Sequence, residues 1–303
     1  MKNWVRSKNE NLHFIPTDTV YIKIDKEAVL RSGMIIPEEY KDTIPEYMTI
    51  PLKGRSRLLR SDLMLLEMLS QCNWERPLYM STTVGDENYL SELKKFFVQE
   101  GLAYRITPFN WEELGYSQGY DIIADTERFY NNVINRFKFG GFKDYPDYYS
   151  DETISRMVYT HRRLIATLAA QLYNEGDSTK ASNLLHLVEK ELPSSIVPHN
   201  PMSGGGYDIG RLFIALGEYK EGCKVIGKLL DEQIQYLHWY NSFGGKRFKA
   251  TVKESYTAIE IAKLFIEELN KGDEGCKALA AEYSAKLNKN IETWQDKVAL
   301  IKD

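Results

Sequence analysis

Hydrophobic residues recur with a helical period from Asp151 almost to the end of the chain, and this segment contains an internal repeat. Large and small residues stand at matching offsets around two glycine turns, Gly176 and Gly217. The matching positions are Leu168, Ala169 and Leu172, then Ala181, Leu185 and Val188, around the first turn, and Ile209, Gly210 and Phe213, then Gly222, Ile226 and Leu229, around the second. These offsets are typical of tetratricopeptide repeats, in which small residues let paired helices approach closely.

A third helix pair is predicted around Gly272-Asp273, with a looser match to the same pattern. The three turns stand 41 and 55 residues apart, which is more than the ~34 residues of a regular tetratricopeptide repeat. The sequence therefore predicts an irregular stack of helix pairs.

The first half of the chain alternates between strand-like and helix-like patterns. Residues 20–24 have the alternation of a short strand, and residues 63–72 carry a helical apolar pattern. Residues 76–84 and 102–108 are predicted strands, separated by a predicted helix over 86–100. Because helices and strands alternate with short connections, the pattern predicts βαβ units and a small parallel sheet.

Together these patterns predict an α+β protein, with a small mixed α/β domain followed by an all-α, tetratricopeptide-like helical-repeat domain. The predicted divisions are an extended arm over 1–14, the α/β domain over 15–145 and the helical domain over 146–303. A short helix near Thr126 to Asn135 is expected ahead of the linker.

Charge and cysteine content narrow the function classes. The 39 basic and 43 acidic residues give a net charge of -4, which argues against a nucleic-acid partner, since such proteins usually carry a basic excess. No apolar run approaches the roughly 18–20 residues that cross a bilayer, so no direct membrane insertion by this chain is expected. The cysteines Cys72, Cys223 and Cys276 are far apart and odd in number, which predicts neither a disulfide framework nor a zinc site.

The sequence predicts no catalytic, cofactor-binding or metal-binding residue. The glycine-rich segment 203–210 lacks the lysine and the preceding strand of a phosphate-binding loop. The five histidines show no metal-ligand spacing. The chain is therefore predicted not to be an enzyme, and no cofactor is expected.

Two aromatic and basic clusters form the candidate partner-binding surface. They comprise Tyr159, Arg162 and Arg163 on the first repeat helix, and Tyr236, His238, Trp239 and Tyr240 after the second repeat. The concave face of helical-repeat stacks collects ligands, and arginine, tyrosine and tryptophan are enriched at interface hot spots. The alternative is that the aromatic residues cap the core of the stack.

Six segments carry a family resemblance: Leu59–Asp62, Gln71–Tyr79, Glu100–Arg105, Phe137–Gly140, Asp151–Thr153 and Tyr159–Arg163. They resemble the C-terminal region of a bacterial multi-pass membrane family, long of unknown function and now grouped with protein O-mannosyltransferase-like glycosyltransferases. The resemblance implies an N-terminal transmembrane bundle in the parent protein. It also implies a tail with tetratricopeptide-like helices on the periplasmic side of the inner membrane. Transferase chemistry would belong to acidic residues of the bundle, so the resemblance assigns no catalytic residue to this chain.

The expected function is a non-catalytic, extracytoplasmic binding or scaffold region that presents its helical surface to a protein or glycan partner. One alternative is a sugar- or nucleotide-related role of the α/β domain itself. In that case polar groups should converge on a pocket at the strand ends near Val84 and Thr107. The other alternative is a free-standing helical-repeat adaptor.

Overall fold

A computed structural model describes residues 5–6, 13–14, 17–52, 57–116, 122–145, 147–200 and 204–300. The chain forms two compact units, unit 1 over Met1–Asn135 and unit 2 over Arg136–Asp303. Unit 1 mixes strands and helices, and the described part of unit 2 is all-helical. The predicted fold class is therefore confirmed: a mixed α/β region precedes an all-helical region.

Unit 1 is built from short strands and three α-helices within its described residues. The strands are β1 (Val5–Arg6), β2 (His13–Phe14), β3 (Thr19–Lys23), β4 (Tyr47–Pro51), β5 (Tyr79–Ser81), β6 (Phe97–Gln99), β7 (Ala103–Ile106) and β8 (Ile123–Ala124). The helices are α1 (Lys26–Arg31), α2 (Arg60–Gln71) and α3 (Thr126–Asn135), with 3-10 turns at Glu38–Tyr40, Asp86–Asn88 and Ser91–Phe96. Within the predicted extended arm, β1 and β2 pair antiparallel.

The main sheet of unit 1 has the strand order β5-β7-β6-β8. β5 and β6 each pair antiparallel with β7, and β6 pairs in parallel with β8. The predicted βαβ units and parallel sheet are therefore wrong. Residues 97–99, assigned to the end of a helix, form β6, and a tight turn at Gly101 joins β6 to β7. Such a turn can connect only antiparallel strands, because parallel strands need a long crossover.

The Asn-Trp pair that follows α2 adopts an uncommon backbone conformation. Asn73 has a φ of 47° and Trp74 a φ of 62°, a left-handed region that bulky residues seldom enter. The indole of Trp74 is buried, and its Nε1 donates a hydrogen bond of 3.1 Å to the carbonyl oxygen of Lys23. Burial and this bond hold the turn, so the segment that carries the family resemblance has a structural role here.

A buried ion cluster ties the β6–β7 turn to its neighbours. The carboxylate of Glu100 lies 3.4 Å from Nη1 of Arg105 and 3.2 Å from Nη1 of Arg128. The hydroxyl of Tyr79 donates a 2.7 Å hydrogen bond to the same carboxylate. Glu100 and Arg105 are both buried, and buried charges are tolerated when they are paired in this way.

Unit 2 is a series of helix hairpins. Its helices are α4 (Glu152–Asn174), α5 (Ser178–Glu191), α6 (Gly206–Ala215), α7 (Tyr219–Ser242), α8 (Gly245–Ala250), α9 (Val252–Leu269) and α10 (Glu274–Leu300), after a 3-10 turn at Phe142–Asp144. The pairs α4–α5, α6–α7 and α9–α10 are joined by the turns predicted at Gly176, Gly217 and Gly272. The additional helix α8 and the length of α7 account for the wide spacing between the last two turns.

The first two turns depend on glycine. Gly176 and Gly217 have φ values of 91° and 80°, which glycine adopts without steric cost at a helix end. Asp177 then caps α5 by accepting a 2.9 Å hydrogen bond from the amide of Lys180. The hairpins follow the predicted pattern, and their assignment as tetratricopeptide repeats stays a prediction.

Helices α6 and α7 approach each other closely at two glycines. A Cβ atom on Gly210 would lie 2.6 Å from Cδ1 of Ile226, and one on Gly222 would lie 2.6 Å from Cγ1 of Ile214. No side chain fits in these spaces without displacement, since carbon atoms in contact are normally about 3.5–4.0 Å apart. The small residues in the sequence repeat thus mark the helix contact.

A disulfide joins Cys223 of α7 to Cys276 of α10. The expectation that the cysteines form no disulfide is wrong for this pair. The two residues are 53 positions apart in the sequence, but helix packing brings their Cα atoms to 5.7 Å, within the range that a disulfide spans. Cys72 is free.

Candidate functional site

Two adjoining grooves lie along α7 in unit 2, with volumes of about 680 Å³ and 440 Å³. Glu232 and Tyr236 line both grooves, so the two share a wall formed by α7. The larger groove also takes lining from the segment around His199, and the smaller takes lining from α9. Grooves with apolar rings and a few polar groups are the usual form of a binding site.

Three of the four residues of the second predicted cluster, Tyr236, Trp239 and Tyr240, lie on α7 and stack with Phe243, which directly follows the helix. These four residues are here called the aromatic ladder. The ring centres of Tyr236 and Tyr240 are 6.5 Å apart, those of Trp239 and Tyr240 are 5.2 Å apart, and those of Trp239 and Phe243 are 4.7 Å apart. Tyr236 is 44% exposed and Trp239 is 53% exposed. The rings therefore do not all cap the core of the stack, and Tyr236, Trp239 and Tyr240 line the grooves.

Glu232 lies at the junction of the two grooves, one helical turn before Tyr236. Its carboxylate is half-buried and accepts a hydrogen bond from the Tyr236 hydroxyl. Burial raises the pKa of Glu232 above its usual range, and the hydrogen bond from Tyr236 opposes this shift only in part. Within the described residues, Glu232 has no ion-pair partner.

Tyr159 of α4 lies close enough to Glu232 to interact with it electrostatically. Burial raises the pKa of the Tyr159 hydroxyl, the positive charge of Arg162 opposes this, and the carboxylate of Glu232 adds to it. The first helix of the first hairpin thus contributes one predicted residue beside the α7 grooves.

Arg162 is not a surface residue. Its side chain is fully buried, and Nη2 donates hydrogen bonds of 2.8 Å to the carbonyl of Leu192 and 2.7 Å to that of Val197. Nη1 donates a 3.2 Å bond to the carbonyl of Pro198. The last carbonyl groups of a helix lack intrahelical donors, and the arginine supplies donors at the end of α5. Burial lowers the pKa of the Arg162 guanidinium to about 10.

The expectation that Arg162 lies on an accessible partner-binding surface is therefore wrong. The long side chain points inward from α4 and donates to three carbonyl groups, so it becomes part of the structure beneath the groove. The loop that it holds carries Pro198 and His199, which both line the larger groove.

His199 forms part of the buried floor of the larger groove. It is 3% exposed, and its Nε2 lies 3.1 Å from Oε1 of Glu189. Neither ring nitrogen has a partner in hydrogen-bond geometry among the described residues. Burial lowers the pKa of His199, and the neighbouring carboxylate of Glu189 opposes this shift. The ring is therefore a neutral, incompletely bonded polar group at neutral pH.

The remaining predicted residues are not brought to the grooves. Arg163 and His238 are exposed and line neither of them. Glu232 and Lys228 were not among the predicted site residues, although the sequence carries a signal for both. Lys228, Glu232, Tyr236 and Tyr240 recur every four residues, which places them on one face of a helix.

In unit 1, side chains fill the end of β7 at Thr107. The alternative function, a ligand-binding role of the α/β domain, would need a pocket there. Thr107 is fully buried, and its hydroxyl donates a 3.0 Å hydrogen bond to the carbonyl of Phe96. The buried indole of Trp111 donates a 3.0 Å bond back to the Thr107 hydroxyl. A separate cavity beside Trp74 is too narrow to admit a water molecule. Among the described residues, the hydroxyl of Thr107 is therefore used in bonds within the fold.

Two further features are absent from the described residues, a cluster of metal-ion ligands and a membrane-spanning helix. No group of three or more histidine, cysteine, aspartate and glutamate side chains in that part of the chain could hold a metal ion. None of the described helices is long and apolar enough to cross a membrane.

No curated protein and no solved structure matches the chain. The family model described as TMEM260-associated domain 2 matches residues 1–124. TMEM260 is related to protein O-mannosyltransferase-like glycosyltransferase families, so the match supports the resemblance for Gln71–Tyr79 and Glu100–Arg105. For Phe137–Gly140 and Tyr159–Arg163 the resemblance stays a prediction. The first 124 residues are thus similar to a TMEM260-associated domain.

Proposed function

We propose that the chain is a non-catalytic, extracytoplasmic binding region of a glycosyltransferase-like membrane protein. In this proposal the α7 grooves of unit 2 hold a protein or glycan partner close to the transmembrane bundle of the parent protein. The observation that carries the proposal is the pair of grooves that share Glu232 and Tyr236 and are lined by exposed aromatic rings.

Two further observations support this proposal. The match of residues 1–124 to a TMEM260-associated domain favours a parent protein related to glycosyltransferases. The disulfide between Cys223 and Cys276 is consistent with an extracytoplasmic compartment, because structural disulfides persist in oxidising environments. A location on the periplasmic side of the inner membrane accords with both.

Peptide and glycan arrays probed with the labelled full chain test this function. Trp239→Ala removes the most exposed ring that lines the grooves, and Tyr149→Ala removes a ring that is 86% exposed and lines neither groove. Features bound by the wild type should weaken about tenfold or more with Trp239→Ala, as expected for a hot-spot aromatic, and stay unchanged with Tyr149→Ala. An array with no bound feature, or equal binding by both variants, would contradict the proposal.

A further inference from the structure

We infer that the junction of the two α7 grooves receives a basic side chain, arginine or lysine, from an extended peptide segment of the partner protein. Glu232 would pair with the positive charge, and the rings of Tyr236 and Trp239 would flank it. This inference rests on the proposed function and names the chemistry of its partner.

No cation among the described residues pairs with the carboxylate of Glu232. The carboxylate is half-buried, it lines both grooves, and Tyr236 is its hydrogen-bond donor. Taking a carboxylate out of water is unfavourable unless a cation or several donors replace the lost solvation. Burial raises the pKa of Glu232 accordingly. A guanidinium or ammonium group placed in the groove would supply the missing charge.

The surroundings of Glu232 favour a cation over other ligands. A cation over the face of a tryptophan or tyrosine ring is attracted by the ring quadrupole, and Tyr236 and Trp239 line the groove that contains Glu232. Tyr159 adds a third ring within electrostatic range of the carboxylate. Aromatic rings and a carboxylate that line the same groove together favour a positively charged group.

The net charge of the groove lining also favours a positively charged ligand. Three carboxylates line them, from Asp231, Glu232 and Glu254, against two lysines, Lys228 and Lys253. The ammonium of Lys228 donates a 2.6 Å hydrogen bond to the hydroxyl of Ser194. Lys228 stands one turn before Glu232, about 6 Å away along the helix axis. An acidic ligand would meet Glu232, and a neutral glycan would leave its charge uncompensated.

The size of the site fits a segment of chain and not a single side chain. The grooves have volumes of about 680 Å³ and 440 Å³, and both are lined by Glu232 and Tyr236. A peptide that lies along both would place one side chain at the junction and its neighbours in the two grooves.

A peptide array and a charge-matched control test the inference. Glu232→Gln keeps the shape and hydrogen-bonding capacity of the side chain and removes its charge. Glu267→Gln removes the same charge from an exposed position on α9 that lines neither groove. The full chain and both variants are measured against array-selected peptides by fluorescence anisotropy, with each basic residue of a peptide replaced in turn by glutamine.

We expect each bound peptide to need one arginine or lysine. Glu232→Gln should weaken its binding about tenfold, as the loss of a charge pair in a groove does, and Glu267→Gln should leave it unchanged. Urea midpoints of Glu232→Gln at or above the wild-type value would show that the fold is intact.

The other outcomes are distinct. Peptides that bind without a basic residue, glycans that bind in a Trp239-dependent manner, or equal binding by both glutamine variants would overturn the inference and leave the proposed function in place. Arrays with no Trp239-dependent feature would overturn both.

Discussion

The close approach of α6 and α7 can be tested by one substitution made at two positions. A Cβ atom at Gly222 would lie 2.6 Å from Cγ1 of Ile214 and 3.0 Å from the carbonyl oxygen of Gly210. The first neighbour is a side-chain atom that can shift, but the second belongs to the backbone of the facing helix. At Gly227, further along α7, the nearest neighbour is Cδ2 of Leu279 at 3.7 Å, an ordinary contact distance.

These distances give opposite signs for the two substitutions. Alanine gains about 1 kcal/mol over glycine inside a helix, whereas overpacking a close contact costs about 1–3 kcal/mol. Because a backbone atom blocks the methyl group at Gly222, we expect the upper part of that range and a net destabilisation of about 1–2 kcal/mol for Gly222→Ala. Gly227→Ala meets no such contact and should stabilise the protein by up to about 1 kcal/mol.

Urea unfolding followed by far-ultraviolet circular dichroism measures both effects, since the long helices of unit 2 dominate the signal. With a urea dependence of about 2 kcal/mol per molar, the midpoints of the two variants should differ by about 1 M. The disulfide is kept oxidised in both samples. A shift in the same direction for both variants, or a Gly222→Ala variant more stable than the wild type, would refute the close contact between α6 and α7.

Three other perturbations address the groove floor and the disulfide. Arg162→Ala should destabilise the protein by about 3–5 kcal/mol, because three carbonyl groups lose their donor. The control Arg163→Ala, at an exposed neighbouring residue, should change stability by less than about 0.5 kcal/mol. Equal urea midpoints for the two variants would show that Arg162 is not structural. The disulfide between Cys223 and Cys276 links residues 53 positions apart, so its reduction should lower the free energy of unfolding by about 4 kcal/mol on the chain-entropy relation. An unchanged urea midpoint in reducing buffer would contradict this. Burial lowers the pKa of His199 below 6.5, so the folded state binds fewer protons than the unfolded chain. The stability that neutral His199 contributes is therefore complete above pH 6.5 and is lost as the pH falls towards the folded pKa. The urea midpoint of the wild type should therefore decrease more than that of His199→Gln between about pH 7.5 and pH 5.5, and parallel decreases would exclude His199 as the cause.

The features that the sequence predicted correctly in unit 2 are those set by local residues. A glycine with positive φ ends a helix through its own backbone, so Gly176 and Gly217 mark their turns without reference to the rest of the chain. The matched small residues are equally local, and Gly222 lies where the helices approach each other.

The features that were missed depend on distant residues. Whether Arg162 points to solvent is decided by the carbonyl groups of Leu192, Val197 and Pro198, some 30 to 36 positions away. The disulfide likewise depends on the packing of α7 against α10. In unit 1, the sheet was predicted parallel because β6 was assigned to a helix, and one misassigned strand reverses the direction of its neighbour.

Two glutamates that are withdrawn from water, Glu100 and Glu232, differ in how their charge is compensated. Glu100 is buried, and Arg105 and Arg128 compensate its charge within unit 1. Glu232 is also withdrawn from water, yet Tyr236 offers it a neutral hydrogen bond and no cation. Since burial raises the pKa of Glu232, its ionised form disfavours the folded state at neutral pH. The negative charge of Glu232 lowers stability and lines two grooves. A partner that supplies the compensating cation explains both features.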